Sequence, residues 1–373
     1  MNQLVCRGCG ETYALDEPWW RCPRQGCGSL LDVTWRSTFD LDQIASRKPT
    51  MWRYREAIPI ADDAHIVSLD EGFTPLIQIE LGGVPVWVKQ DQLFSTGSYK
   101  DRGAAVLISK VVELGIDRVV EDSSGNAGCA VAAYCARAGV DCAIYVPEQT
   151  SADKLTQIER YGATLYRVPG SREDTARAAL EAAQTTYYAS HSWNPFFFHG
   201  TKTFAFEVCE QLGWQAPDAV VLPVGNGTLF LGAVIGFREL LGAGVIERMP
   251  RMVGVQAQGC APLHRAWQEG LGSNPPIDKG DTLAEGIAIA DPVRGSQIVE
   301  AVCESNGQIL TVSEAAIKTW LGEMCARGFY IEPTSAVAIA GAAHYAQRAQ
   351  PGEVIVSVFT GHGLKATAKM QKL

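Results

Sequence analysis

A lysine stands directly before an apolar, periodic segment that predicts a helix over residues 103–114. Lys100 lies in the loop Ser98-Tyr99-Lys100-Asp101-Arg102-Gly103. The positive end of a helix dipole disfavours a cation at such a position. A surface lysine is the ordinary explanation, whereas an amine that forms a Schiff base with a carbonyl cofactor gives the position a chemical purpose.

Three further loops place glycine or small polar residues where a predicted strand ends. Residues 122–128 (Asp-Ser-Ser-Gly-Asn-Ala-Gly) let a ligand approach the backbone. The amide of Asn126 can hydrogen-bond a ring oxygen, although an ordinary helix cap has the same composition. Residues 225–228 (Gly-Asn-Gly-Thr) offer N–H groups to an anion such as a phosphate, or form a plain tight turn. In residues 359–365, Thr360 presents a hydroxyl after the last predicted strand.

A cysteine cluster lies within the first 27 residues, at Cys6, Cys9, Cys22 and Cys27, and the other seven cysteines are scattered. Two residues separate the first pair, four separate the second, and twelve lie between the pairs. This spacing predicts a tetrahedral zinc ribbon with four thiolate ligands and a structural role. A metal-free ribbon is the alternative, because two intervening residues are commoner in the second pair.

Strands and helices alternate along the rest of the chain and must position these loops. The predicted strands are at residues 84–89, 118–121, 142–146, 163–168, 219–224, 252–256 and 355–359. The predicted helices are at residues 103–114, 127–138, 151–161, 172–184, 202–212 and 229–241. Such alternation is typical of βαβ units and parallel sheets, in which ligands bind beyond the carboxyl ends of the strands.

The composition of the 373-residue chain excludes several classes of protein. Apolar residues make up 47% and charged residues 20%, which is ordinary for a globular protein and excludes disorder as the main state. With 32 Lys and Arg against 41 Asp and Glu, the net charge is -9, and we expect no nucleic-acid partner. Neither a membrane-spanning run nor a signal peptide is visible, so we expect a cytoplasmic protein with no membrane partner.

Eight motifs follow one another along nearly the whole chain. They are residues 71–76 (Glu-Gly-Phe-Thr-Pro-Leu), 98–103, 124–126 (Ser-Gly-Asn), 194–195 (Asn-Pro), 200–203 (Gly-Thr-Lys-Thr), 223–226 (Pro-Val-Gly-Asn), 332–333 (Glu-Pro) and 360–365 (Thr-Gly-His-Gly-Leu-Lys). In order and content they resemble the fold-type II pyridoxal-phosphate (PLP) enzymes, and within them the threonine synthase family. The resemblance implies an α/β fold of two parallel-sheet domains with the cofactor in the cleft, preceded by a small Cys-rich, zinc-ribbon-like segment.

The resemblance also implies a domain organisation and partners. We expect residues 1–48 to form the zinc-ribbon-like segment and linker. Residues 49–95 and 200–373 would form the large PLP-binding domain, and residues 96–199 the small domain. The expected ligand is a small amino-acid substrate, and the expected assembly is a homodimer.

Each loop acquires a role from the resemblance. Lys100 would bond PLP and later move the substrate's Cα proton, and Asn126 would contact the ring hydroxyl. A hydroxyl such as that of Thr360, set against the pyridine nitrogen, cannot protonate it and would favour elimination and replacement over transamination. The residues implied to hold the cofactor are Lys100, Asn126, Gly225, Asn226, Gly227, Thr228 and Thr360, those of 225–228 through its phosphate. The residues implied to bind substrate are Ser123, Ser124 and Gly125, through its carboxylate, together with Asn194 and Phe197.

One position departs from the family pattern. Family members usually carry an arginine two residues after the Asn-Pro motif, where it helps bind the substrate's phosphate, and this chain has Phe197. A phenyl ring makes no charge-assisted contact to a phosphate. We therefore expect β- or γ-elimination or replacement on an activated amino acid, with O-phosphohomoserine a poor substrate. The alternatives are threonine synthase itself, cysteate synthase-like β-replacement on phosphoserine, a serine or threonine dehydratase, and a catalytically silent regulator that keeps the fold.

Overall fold

The computed structural model describes residues 2–150, 152–170, 172–271, 277 and 279–371, with nothing stated for the side chains of 152–154. The helix predicted over residues 151–161 therefore begins at a residue outside the described ones. The strands are β1 Gln3–Cys6, β2 Thr12–Tyr13, β3 Leu31–Thr34, β4 Leu76–Leu81, β5 Val84–Lys89, β6 Arg118–Glu121, β7 Asp141–Pro147, β8 Thr164–Val168, β9 Tyr187–Tyr188, β10 Ala219–Pro223, β11 Arg251–Ala257, β12 Gln308–Val312 and β13 Ile355–Val358.

Helices follow most of these strands. The α-helices are α1 Leu41–Ser46, α2 Lys100–Glu113, α3 Asn126–Ala138, α4 Ala152–Arg160, α5 Arg172–Ala182, α6 Pro195–Thr201, α7 Thr203–Gln211, α8 Thr228–Gly242, α9 Pro262–Gln268, α10 Gly295–Glu304, α11 Glu314–Ala326, α12 Pro333–Ala346 and α13 Thr367–Met370. Short 3₁₀ helices lie at Met51–Ala57, Asp63–His65, Asp91–Leu93, Glu285–Ile287 and Gly363–Ala366. Within the described ranges, no helix combines the length and the apolar character that a membrane span requires.

The chain divides into two compact units. Unit 1 comprises Met1–Gly72 and Lys100–Thr201, and unit 2 comprises Phe73–Tyr99 and Lys202–Leu373. Unit 1 holds an antiparallel sheet in the order β2-β1-β3 and a parallel sheet in the order β8-β7-β6-β9. We refer to residues 3–34, which contain β1–β3 and the four clustered cysteines, as the ribbon.

The segment 49–72, which the sequence analysis assigned to the large domain, lies in unit 1. Met51 and Ile58 are fully buried in the same apolar core as Leu4 of the ribbon and Val106 of α2. Apolar burial of this kind outweighs position along the chain in deciding which unit a segment joins. The predicted division into a separate N-terminal segment and two domains stays a prediction.

Unit 2 is built on one six-stranded sheet in the order β12-β11-β10-β13-β5-β4. All neighbouring strands are parallel except the antiparallel hairpin β4–β5. The two central strands β10 and β13 are buried at every residue, as expected for a parallel sheet covered on both faces. In each unit, some strands of the parallel sheets end in loops that carry predicted site residues: β6 leads to residues 122–126, β10 to residues 225–228 and β13 to Thr360.

Candidate active site

Lys100 is the first residue of α2, three residues before the predicted start of that helix. Its Nζ lies 5.8 Å from the centroid of the Phe197 ring. The same ring meets His191 edge-on, with the centroids 6.1 Å apart. Phe197 is fully buried, and a Cβ added at Gly103 would overlap its ring. The structure thus brings Lys100 and Phe197 together, with Phe197 packed against the first turn of α2.

A buried acid–histidine pair lies at the end of β6, in the same unit. His191 Nδ1 is 2.8 Å from Glu121 Oε1, and Glu121 Oε2 is buried without a hydrogen-bond partner among the described residues. Burial raises the pKa of Glu121 to about 7, although the positive charge of Lys100 opposes the rise. Burial, assisted by Lys100, lowers the pKa of His191 to about 3. Near neutral pH the imidazole is therefore uncharged, and the carboxyl is partly protonated.

The loop of residues 122–126 joins β6 to α3. The Gly125 N–H donates to Ser123 Oγ over 3.3 Å. Gly125 is also the N-cap of α3, which begins at Asn126, and has no side chain to cap the first turn. Gly128 is required in that turn, because an added Cβ would overlap the carbonyl oxygen of Ser123. Uncapped N–H groups at a helix start suit an anion such as a carboxylate. The structure therefore brings Ser123, Gly125 and Asn126 together around an uncapped helix start.

Asn194 is fully buried and orders the start of α6. Its Nδ2 donates to Tyr187 Oη over 2.9 Å and to the Tyr188 carbonyl over 3.2 Å. Its Oδ1 accepts the Phe196 N–H over 3.2 Å. Both polar atoms of the side chain are thus used inside the protein, and a direct contact of Asn194 with substrate stays a prediction.

In unit 2, residues 224–227 lead from β10 into α8. Gly227 has a φ of 73°, in the left-handed region that glycine tolerates best. A Cβ there would also overlap Ile298, and one at Gly225 would press on the Ile287 backbone. The N-cap of α8, a helix of 15 residues, is Gly227, which has no side chain to cap the first turn. A close-fitting glycine loop before an uncapped helix is the geometry that binds a phosphate.

Thr360 follows β13 and is buried. Its Oγ1 donates to Glu332 Oε1 over 2.8 Å and lies 3.0 Å from Ser335 Oγ. The Glu332 carboxylate fits there because position 361 is glycine, where a Cβ would overlap it. The hydroxyl proton of Thr360 is therefore directed to a carboxylate, which leaves its oxygen to accept from other groups.

Tyr99 joins two of the predicted cofactor-binding segments in unit 2. Its N–H donates to the Thr360 carbonyl over 3.0 Å, and its Oη is 2.8 Å from Thr228 Oγ1. The preceding residue, Ser98, is fully buried, and its hydroxyl has no hydrogen-bond partner among the described residues. Lys100 is the next residue along the chain. The structure brings Thr228 and Thr360 to the residue that precedes the predicted catalytic lysine.

The four clustered cysteines form a compact thiol set in the ribbon. All four sulfur atoms lie within 4.8 Å of one another. The Cys6 and Cys27 sulfurs are 3.6 Å apart, and those of Cys9 and Cys22 are 3.7 Å apart. Four ligands on a tetrahedral zinc, each at about 2.3 Å, would be roughly 3.8 Å apart. The donor set therefore fits a zinc ion in type, number and spacing.

Sequence reasoning missed the carboxylates that support the predicted residues. In the sequence, Glu121 is simply the last residue of a predicted strand, and Glu332 stands in a motif to which no role was assigned. Nothing local marks His191. Their partners are 70 and 28 positions away along the chain, so no local spacing could reveal the pairs. A charged residue ending the apolar strand β6 was the one local signal for Glu121.

Comparisons with known proteins define the class. Residues 67–361 match the family described as pyridoxal-phosphate dependent enzyme. In structure, a processed threonine deaminase isoform 2 from Solanum lycopersicum superposes with a TM-score of 0.70, covering 92% of this chain and 96% of that chain at 23% identity. The chain is therefore a pyridoxal-phosphate-dependent enzyme with the fold-type II architecture, as the motifs predicted.

Two curated relatives narrow the family. A threonine synthase of Methanocaldococcus jannaschii is 36% identical and covers 96% of this chain and 92% of that enzyme. A threonine synthase of Synechocystis sp. is 37% identical, covering 84% of this chain and 82% of that enzyme. The chain belongs to the threonine synthase family, and it is a PLP-dependent lyase.

Proposed function

We propose that PLP is held by Lys100, Asn126, residues 225–228 and Thr360. The observation that supports the proposal most is the position of Tyr99. Tyr99 is hydrogen-bonded to Thr360 and Thr228, and Lys100 is the next residue along the chain. The buried, unpartnered hydroxyl of Ser98 and the uncapped start of α8 fit a phosphorylated ligand. Lys100 would bond the aldehyde, residues 225–228 would bind the phosphate, Asn126 the ring hydroxyl and Thr360 the pyridine nitrogen.

When bound, PLP supplies an electron sink that stabilises negative charge at the substrate's Cα. The chain's own residues would bind and orient the substrate and move its Cα proton. Ser123, Ser124 and Gly125 would bind the substrate carboxylate at the uncapped start of α3 and so fix the orientation of the Cα–H bond. Lys100 Nζ would take the Cα proton and return it.

Thr360 restricts the class of reaction. Because its hydroxyl proton is directed to Glu332 Oε1, Thr360 has no acidic proton to give to a ring nitrogen. A ring nitrogen without a proton is a weaker electron sink. We therefore infer that the chain catalyses elimination or replacement at Cβ or Cγ rather than transamination.

We propose that O-phosphohomoserine is a poor substrate and that the natural substrate carries a different side chain. Phe197 stands where the family usually has a phosphate-binding arginine, and the acidic residues Glu121 and Asp122 at the end of β6 in the same unit supply no positive charge in its place. Of the cations that could compensate, Lys202 is bonded to Glu239 Oε1 over 2.8 Å. Losing a contact to a buried charge costs about 2–5 kcal/mol.

Threonine formation is the second candidate, favoured by the relatives that carry the name threonine synthase at 36% and 37% identity. Arg102 and His199 are buried, and each already interacts with other groups of the protein. A phosphate would therefore have to be recognised by groups that already have interactions in this structure.

A substrate panel tests the proposal. The holoenzyme is assayed with O-phospho-L-homoserine, O-phospho-L-serine, L-serine and L-threonine while release of phosphate, ammonia, keto acid and threonine is measured. We expect kcat/KM for O-phospho-L-homoserine to be at least ten-fold below the value for the best of the other amino acids in the panel. Phe197→Ala is compared with Phe198→Ala, a buried neighbour. Efficient threonine formation that is unaffected by Phe197→Ala would establish threonine synthase and refute the proposal.

We also propose that Cys6, Cys9, Cys22 and Cys27 bind one zinc ion. Four thiolates at the observed spacing close the coordination sphere and leave no position for water or substrate. The ion would therefore be structural. A metal-free ribbon is the competing state.

We also propose an assembly and a cellular location for the protein. None of the eleven cysteines, all of which the structure describes, forms a disulfide, which suits a reducing compartment such as the cytoplasm. A homodimer is the proposed assembly. Light scattering of the purified protein and fractionation of the source cells test the two expectations separately.

A further inference from the structure

Trp20 ties the ribbon to the α/β part of unit 1. It precedes Cys22 by two residues, and its side chain is 7% exposed. Its ring meets Tyr188 edge-on at 5.0 Å between centroids, and Trp193 edge-on at 5.8 Å. The Arg21 guanidinium lies 4.6 Å from the Trp20 centroid. One indole thus contacts two aromatic residues from a different part of the unit.

Both partners of Trp20 adjoin a predicted substrate-binding segment. Tyr188 Oη donates to Asp122 Oδ1 over 2.9 Å, and Asp122 directly precedes Ser123. The Tyr188 carbonyl accepts from Asn194 Nδ2 over 3.2 Å, and Trp193 directly precedes Asn194. The ring of Trp20 is therefore two contacts away from the loop 122–126 and from the start of α6.

Packing explains how Trp20 can act over this distance. Edge-to-face aromatic pairs hold both rings in place, and it is from this position that the Tyr188 hydroxyl donates to Asp122. A smaller side chain at position 20 would leave a cavity into which Tyr188 and Trp193 can turn. The hydrogen bond to Asp122 would then be lost part of the time.

We propose that Trp20 is a positioning residue that holds the loop 122–126 in its substrate-binding conformation through Tyr188 and Trp193. The proposal rests on the proposed function in one respect, that this loop binds the substrate carboxylate. It makes the order of the ribbon a condition for substrate binding, although the proposed substrate-binding residues all lie outside the ribbon.

The test compares Trp20→Ala and Trp20→Phe with Trp19→Ala in the holoenzyme. Trp19 is a matched control in the same ribbon, where its Nε1 donates to Glu17 Oε2 over 2.7 Å. Amide hydrogen exchange of peptides covering residues 122–130 reports loop order without any substrate. We expect Trp20→Ala to speed this exchange several-fold, Trp20→Phe to restore most of the protection, and Trp19→Ala to leave it unchanged.

Kinetics supply the second readout, with the amino acid of the panel that is turned over best. Trp20→Ala should raise KM about ten-fold while kcat changes less than two-fold and the cofactor absorbance is retained. Tyr188→Phe, which leaves the ribbon intact, should raise KM similarly, and the double variant should add little to either single change.

Failure of the inference and failure of the proposed function give different results. Unchanged exchange in Trp20→Ala, or equal effects of Trp19→Ala, overturns the positioning role. Faster loop exchange with an unchanged KM shows that Trp20 orders a loop that does not bind substrate, which contradicts the proposed function and the functional part of the inference together.

Discussion

Residues that support the site lie far from it in sequence. Glu121 and His191 are in contact although they are 70 positions apart in sequence, and Thr360 donates to Glu332, which is 28 positions away in sequence. Lys100 and Thr360 could be singled out from their own loops, because each stands in a local motif. Their supporting carboxylates could not, since only folding creates the burial that changes their pKa values. Single-sequence reasoning therefore finds the residues of motifs and misses the groups that tune them.

The Glu121–His191 pair predicts an unusual pH dependence of stability. Unfolded, the carboxyl and the imidazole titrate near their ordinary pKa values of 4.5 and 6.5, whereas the folded values are about 7 and about 3. Between pH 4.5 and 6.5 the folded pair keeps its proton on Glu121, and the unfolded chain keeps it on His191. The two states then bind equal numbers of protons, so the pair contributes almost no slope.

Removing one partner should expose the slope of the other. In His191→Asn, the raised pKa of Glu121 gives stability that is lost as pH rises from 4.5 through 7. In Glu121→Gln, the depressed pKa of His191 gives stability that is lost as pH falls from 6.5. Each slope should approach 1.4 kcal/mol per pH unit at most, measured by urea unfolding between pH 5 and 7. Asp122, Lys100 and Arg172, which also act on the pair, are common to all three proteins. Parallel stability curves would contradict the account.

At the scale of elements, the alternating pattern predicted strands β5–β8, β10, β11 and β13 and helices after several of them, but it missed the parallel strands β9 and β12. The strand over 118–121 has the predicted bounds, and α8 begins within one residue of its prediction. The start of α2 was placed three residues late, because Lys100 and Asp101 are polar and yet belong to its first turn. Helix α6 was missed, since its run of three phenylalanines has no helical periodicity and is buried on all sides.

Gly227 should be required for cofactor binding rather than for folding. Gly227→Ala places a Cβ at a φ of 73° and against Ile298. Gly244→Ala, just after the same helix, meets a similar φ of 72° with nothing within 4 Å. Both should lose about 1–2 kcal/mol of unfolding free energy. Only Gly227→Ala should weaken PLP affinity, by ten-fold or more, in a spectrophotometric titration of the apoprotein. Equal affinity in both variants would remove this loop from the phosphate site.

At the scale of the whole molecule, family and fold could be established from motifs distributed along the chain. The spatial assignment of residues 49–72 could not, because it depends on which apolar core buries Met51 and Ile58. The ribbon is part of unit 1, and the cysteine spacing alone did not predict this. Its role in the molecule is therefore open to a direct test.

Zinc should be present at one equivalent per chain in protein purified without chelators. Cys22→Ser should lose the metal and make the ribbon sensitive to limited proteolysis. The cofactor absorbance should stay unchanged, because the cofactor residues predicted in unit 1, Lys100 and Asn126, lie outside the ribbon. Cys303→Ser, at an exposed free thiol, is the control and should keep the zinc. Metal analysis without zinc would favour the metal-free ribbon.

The central claim is that Lys100 carries the cofactor, and borohydride reduction of the holoenzyme tests it most directly. The purified protein should be yellow, and reduction followed by peptide mapping should place the pyridoxyl group on the peptide that contains Lys100. Lys100→Ala should remove turnover and the trapped adduct while leaving the fold intact. An adduct on Lys89 or Lys202, each buried beside a glutamate, would contradict the assignment of the active site.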